Sequence, residues 1–363
     1  MQRSSVSERK RASLLGQENH DKLITQNMHS INLLSVTPRL AAAFSILSLL
    51  AFGSCGCSSP LEHPEDENTK NQQETLGDDS GKGDDSSDEE QKPDADGYTL
   101  VWSDDFDAEA LDTDKWRIEV NGDGGGNAEL QYYNESGISL GKDPKFDNGA
   151  LIITARRESC NGKSFVSGRL NTSGHFEFTY GRAEARIRLP KTANGLWPAF
   201  WLLGADYKTN SWPRCGEIDI MECGNATGIS SGTQDRYFNG ACHWGYYKGS
   251  AYPNYAKHTT NSYAIQDDEY HLFTIVWTEE SIKMYLDRDT HPEAEPYYAM
   301  DIVDKSDDWG VGYYFHHDFF IIFNMAVGGY FTGILDPSAI TALPSEGSKA
   351  SMYVDYVRVY QKK

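Results

Sequence analysis

The chain has 363 residues, with 33 Lys and Arg against 54 Asp and Glu, for a net charge of −21. Acidity on that scale argues against nucleic acid or an anionic lipid surface as a partner. Aromatic residues make up 12% of the chain and include 8 Trp, enough for a large aromatic core and for some rings near a site.

In chain order, residues 1–27 are polar, mixed in charge and without an apolar period. From Met28 onward, Arg39 precedes LAAAFSILSLLAFGSC, whose apolar run of about 13 residues is shorter than the roughly 18–20 that a membrane-spanning helix needs. A basic residue, a short apolar core and small residues before a cysteine make a secretory signal. Phe52-Gly53-Ser54-Cys55 resembles a bacterial lipobox, with Phe52 in place of the usual aliphatic residue. Residues 1–57 are therefore expected to be an N-terminal extension and lipoprotein signal, with Met28 as an alternative start and Cys55 as the lipidated residue. A plain signal peptide or a buried helix is the competing reading. Residues 58–97 carry 14 acids against 3 bases. Such a run cannot bury enough apolar surface to offset its ordering entropy, so a solvated acidic linker is expected. The chain would then be exported and held at a membrane, outer-membrane anchored and exposed at the cell surface, by its lipid.

Residues 98–363 are the length of one domain. Setting aside the linker's −11 and the +3 of the first 60 residues leaves them about −13, which makes strongly anionic polysaccharides poor substrates. Their cysteines, Cys160, Cys215, Cys223 and Cys242, show no C-x-x-C and no zinc-like spacing. Export permits a disulfide, but Cys215 and Cys223 cannot pair across an extended strand, since eight residues span roughly 26 Å. Buried free thiols are an equal expectation.

From Tyr98 the chain breaks into short runs rich in β-branched and aromatic residues, separated by Gly, Asn, Asp and Pro. Examples are GALIITARRE (149–158), GRAEARIRLP (181–190), HLFTIVWT (271–278), DFFIIFNMAVGG (318–329) and SMYVDYVRVYQ (351–361). Many short strands and no helical period predict an all-β sandwich or barrel. In GRAEARIRLP, Arg182, Glu184, Arg186 and Arg188 share one face. That face meets solvent, or it lines a concave surface for a sugar chain. Trp277, mid-strand among apolar residues, belongs in the core.

The stretch WPRCGEIDIMECG (212–224) places acids at Glu217, Asp219 and Glu222. Side chains on a strand alternate faces, so Glu222 has the wrong parity. One extra residue accommodated at Ile220-Met221 as a β-bulge resets the alternation and returns Glu222 to the face of the other two. Two Glu flanking an Asp suit retaining glycoside hydrolysis, in which one carboxylate attacks and the other protonates the leaving oxygen. Asp219 between them would hold their pKa values apart.

With VWSDDFD (101–107), NAELQYY (127–133), SGRLNTSGHFEFTYGRAEARIRLP (167–190), GLWPAFWLLG (195–204), HWG (243–245), NMAVGGYFTG (324–333) and YVDYVRVY (353–360), the body resembles glycoside hydrolase family 16 in its laminarinase-like branch. The resemblance runs from about Tyr98 to Tyr360. It implies a β-jelly-roll sandwich of two curved antiparallel sheets, with a substrate cleft across the concave face. It implies Glu217 as nucleophile, Glu222 as acid/base and Asp219 as the assisting acid. Trp197, Trp201 and Trp212 look like sugar platforms, and His243 lies where the family places a histidine near the carboxylates. Asn127, Glu129 and Arg182 look like polar subsite contacts. Asp355 matches a position that holds a structural calcium in many members, although DDF at 104–106 departs from the usual D-E-F. No cofactor is expected to be required for catalysis, and a monomer is expected. The implied activity is that of an endo-acting hydrolase of β-1,3- or mixed-linkage β-1,3-1,4-glucan. Hydrolysis of a marine galactan, a non-catalytic glucan-binding module and transglycosylation are the alternatives.

Overall fold

The computed structural model describes residues 92–363, apart from 249 and 307–309. The expected signal, Cys55 and all but the end of the acidic linker lie outside the described residues. Two sheets account for the rest. The larger has ten strands, ordered β15 (Tyr298–Asp301), β14 (Ser281–Leu286), β13 (His271–Trp277), β8 (Gly181–Arg188), β17 (Lys349–Lys362), β5 (Gly149–Cys160), β6 (Lys163–Ser167) and β3 (Gln131–Tyr133). Strand β1 (Tyr98–Asp104) adds to β17, and β4 (Ile138–Lys142) to β5. The smaller sheet has seven, ordered β12 (Asn254–Thr260), β11 (Tyr237–His243), β10 (Glu217–Cys223), β9 (Leu196–Gly204), β16 (Phe319–Val327), β7 (Arg169–Asn171) and β2 (Arg117–Ile118). Pairing is antiparallel throughout except between β3 and β6. The one α-helix among the described residues spans Ala226–Ser231. The all-β prediction therefore holds.

Alternation decides what each strand buries. In β16, Phe319, Ile321, Phe323, Met325 and Val327 enter the core between the sheets, and Asn324 takes the opposite parity. Strand β8 sends Ala183, Ala185 and Ile187 into that core from the other side. Trp277 is 1% exposed, and its ring meets Tyr180 at 5.4 Å and Phe319 at 5.3 Å. Its indole N–H donates to the Phe315 carbonyl at 3.1 Å. Trp277→Ala leaves both a cavity and an unpaired carbonyl, so it is expected to cost about 3–5 kcal/mol, read as a lower urea midpoint at unchanged m-value. The four cysteines among the described residues are free, three of them buried.

One expectation on the larger sheet needs correction. Arg182 is not with the acid cluster: β8 lies in the ten-stranded sheet, and its polar face points away from the core on the side opposite β10. There the Arg182 guanidinium pairs with Asp94 at 2.8 Å and lies over the Tyr360 ring at 4.2 Å. The polar face of GRAEARIRLP does not adjoin the acid cluster and is partly covered, with Arg188 buried against Asp143 at 2.8 Å; parity alone cannot say which sheet a strand joins. Asp355 accepts from Arg186 Nη1 at 2.7 Å and from the Asn148 amide. No group of three Asp, Glu, His or Cys ligands includes Asp355 among the described residues.

Candidate active site

Strand β10 runs through the middle of the seven-stranded sheet, bracketed by two glycines with positive φ. At Gly216 (φ +76) a Cβ would stand 2.8 Å from the Phe319 ring, and at Gly224 (φ +94) 2.0 Å from the Leu196 carbonyl. Only glycine lets the chain turn into and out of this strand so tightly. Within it, Glu217 faces His243 on β11, and Asp219 faces Ala241. The register then slips, and Glu222 faces Asn239. Against β9 the slip falls between Asp219, opposite Trp201, and Met221, opposite Phe200. The bulge at Ile220-Met221 is thus present. Both of its side chains go into the core at 0% exposure, which leaves Glu217, Asp219 and Glu222 together on the outer face.

That face gives Glu222 partners of its own and sets Asp219 and Glu217 beside one shared histidine. Glu222 is 8% exposed and accepts from Trp197 Nε1 at 3.0 Å and from Asn239 Nδ2 at 2.6 Å. Asp219 lies 3.1 Å from His243 Nε2, and Glu217 lies 3.9 Å from the same nitrogen. The ligand atoms of Glu217, Asp219 and His243 fall within 4.8 Å of one another, the one such cluster among the described residues.

Burial, then the charge of Asp219, pushes the Glu217 carboxyl up to about 8, with His243 opposing the rise. Burial pushes Asp219 up to about 8. Burial and Asp219 do the same to Glu222, opposed by His243 and by the bonds from Asn239 and Trp197. Three carboxyls this close cannot all ionise near neutrality, so they titrate as one unit that retains a proton. A cluster with at least one carboxylate and one carboxylic acid is what combined nucleophilic and acid catalysis requires. Because Asn239 stabilises the ionised form of Glu222, Asn239→Ala should raise the pKa of that group. The alkaline limb of the kcat–pH profile should then move to higher pH, by about one unit; a limb that stays in place would detach Asn239 from the acid.

The tryptophans divide the work differently from one another. Trp197, 9% exposed, is stacked on Phe331 at 4.5 Å and 14° while its N–H holds Glu222, which leaves it little free surface. Trp201 is half-buried. Its N–H donates to Asn324 at 2.7 Å, and the Arg169 guanidinium covers its ring at 4.7 Å. Trp212 meets Tyr252 edge-on at 4.7 Å and lies 6.2 Å from His243. Glu129 is buried and accepts from Tyr133 at 3.1 Å, whose hydroxyl in turn accepts from Asn324 at 3.2 Å. It reaches Trp201 through that chain. The Asn127 side chain bonds to Gly125 within its own loop at 3.2 Å.

Sequence reasoning missed Asn239, Asn324, Phe331 and Arg169. Asn239 could have been found: it stands four residues before His243 on the same strand and so shares its face. Arg169, paired with Glu119 at 3.0 Å, gave no periodic signal on its three-residue strand.

The sequence profile of Glycosyl hydrolases family 16 matches residues 126–300. A second profile, for the beta-glucan synthesis-associated proteins SKN1/KRE6/Sbg1, matches residues 18–210 and stops before β10. A beta-glucanase of Rhodothermus marinus is 36% identical over 276 residues, covering 73% of this chain and 85% of that protein. Among solved structures, a family 16 enzyme of a Bacteroides ovatus mixed-linkage glucan locus, in complex with a G4G4G3G product, superposes with a TM-score of 0.62 at 37% identity, over 71% of this chain and 99% of the other. The laminarinase from Rhodothermus marinus gives 0.58 at 35% identity, over 73% and 97%.

Proposed function

This chain belongs to glycosyl hydrolase family 16, and on that premise we propose that it cleaves β-1,3- and mixed-linkage β-1,3-1,4-glucan internally, with retention, by double displacement. It is a glycoside hydrolase. The observation that carries the mechanism is the bulged β10, which sets two glutamates and an aspartate on one buried face. In the first step the Glu217 carboxylate attacks the anomeric carbon while Glu222 passes its proton to the departing glycosidic oxygen. An ester forms to Glu217 and the C–O bond to the leaving sugar breaks. Glu222 is now a carboxylate, held by the Trp197 and Asn239 donors, and it takes a proton from water. The hydroxide attacks the same carbon and releases Glu217. Asp219, 3.1 Å from His243 and within 4.8 Å of a Glu217 oxygen, exchanges charge or a proton with the nucleophile's surroundings as each step shifts the balance.

The substrate follows from charge and kinship: a body of about −13 suits a neutral polysaccharide, and the relatives described above are named for glucans or laminarin. Purified enzyme incubated with laminarin and cereal mixed-linkage glucan, watched by proton NMR, should release β-anomers first, with α-anomers appearing only by mutarotation. Initial α-anomers would sink the retaining mechanism. Activity on agarose or carrageenan but on neither glucan would move the enzyme to a galactan substrate, and binding without turnover would make it a glucan-binding module. We further propose that residues 1–57 direct export and that Cys55 is lipidated. In that case labelled palmitate enters the parent but not Cys55→Ser.

A further inference from the structure

The mechanism leaves unused a tyrosine-bearing connection between β11 and β12, described at residues 244–248 and 250–253. It is built into the fold. The Trp244 N–H donates to the Pro253 carbonyl at 3.1 Å, and the Lys248 N–H to the Ala251 carbonyl at 2.6 Å. The Trp244 ring sits against the core residue Phe315 at 5.9 Å. So anchored, the connection holds Tyr246 and Tyr247 at the surface, 48% and 54% exposed. Tyr246 packs against the Arg214 guanidinium at 5.3 Å. Tyr247 meets Trp212 at 5.8 Å and 62°, and Tyr252 at 5.5 Å and 77°. Both contacts are T-shaped rather than stacked. Trp212 and Tyr252 in turn lie 6.2 Å and 5.6 Å from His243, the partner of Asp219. An unbroken aromatic path therefore runs from the catalytic carboxylates out to an exposed ring.

Exposed aromatic rings grouped beside a cluster of buried acids mark a binding surface rather than chance exposure. We infer that Tyr247, braced by Trp212 and Tyr252, is an outer sugar platform that holds a glucosyl unit beyond Trp212 and makes the enzyme favour long glucan chains. The ligand class follows from the ring. A flat aromatic face takes the apolar C–H face of a pyranose, and no cation or acid group is needed. The inference rests on the glucanase reading and adds to it beyond Trp212.

The test compares kcat/KM of the full-length parent, Tyr247→Ala and Tyr247→Phe across β-glucan oligosaccharides of increasing length. Tyr247→Ala should lose about 3–10-fold on the longest chains, the scale of one aromatic contact, and nothing on the shortest cleaved. Tyr247→Phe should stay near the parent at every length. Equal loss at all lengths, no loss at any, or a Phe variant as impaired as the Ala variant would overturn the platform. A parent inert on every β-glucan would instead sink the glucanase reading, and the platform with it.

Discussion

Glu217→Gln is expected to cut kcat/KM on β-glucan by about 10⁴-fold or more, the scale on which loss of a covalent nucleophile acts, and to melt higher than the parent at pH 7. The first result follows from chemistry: an amide oxygen cannot form the ester that the first displacement requires. The second follows from the cluster's electrostatics. A carboxyl whose folded pKa is raised to about 8 by burial and by Asp219 prefers to be protonated in the folded state. Its ordinary value is near 4.3. Above that value the unfolded chain gains by ionising it and the folded chain does not, so Glu217 opposes folding increasingly as pH rises towards 8. A neutral isostere removes that cost. Thermal melts of parent and variant should coincide near pH 4 and separate, with the variant higher, by pH 7. If the variant still hydrolyses glucan at a tenth of the parent rate, the nucleophile lies elsewhere. If the melts stay together across the range, Glu217 carries no such cost.

How far the sequence discloses this site depends on the range of the information. The parity conflict between Asp219 and Glu222 is local: two residues must occupy the space of one, and the register slip opposite Asn239 is what that demands. Trp277 in the core was legible for the same reason, since short apolar alternation is local, whereas strand length excluded only a Cys215–Cys223 pair and left the other thiols open. Arg182 was not legible. Its parity is correct, but parity assigns a face and not a sheet. Only the pairing of β8 with β13 and β17 puts that face away from the carboxylates. Asp355 shows the same limit of range: a single matching aspartate says nothing of the Arg186 guanidinium, 169 residues earlier, that donates to it. The partners of Glu222 were half legible. Trp197 could be placed near the site but not on the acid itself, because a hydrogen bond between residues 25 apart depends on how β9 and β10 are aligned.

Those partners make Glu222→Ala the sharpest test of the division of labour. Removing the acid should slow glucan hydrolysis by about 10²–10⁴-fold, because a sugar alkoxide leaves poorly without a proton. An aryl β-glycoside whose phenolate leaves unaided needs no such proton, so its first step should survive. The second step should then stall, since no base remains to activate water, and a burst of phenolate should precede a slow steady state. The pocket left behind is specific. Trp197 Nε1 and Asn239 Nδ2, which donated to Glu222 at 3.0 Å and 2.6 Å, both lose their acceptor and face the vacated volume. A small anion fits those donors. Azide should therefore enter, attack the anomeric carbon, break the ester to Glu217 and leave a β-glycosyl azide, restoring turnover of the aryl substrate. An α-glycosyl azide would mean that no covalent intermediate had formed. Rescue undiminished when Asn239→Ala is added would show that these donors do not gather the anion, and would take from Asn239 its part in holding the acid.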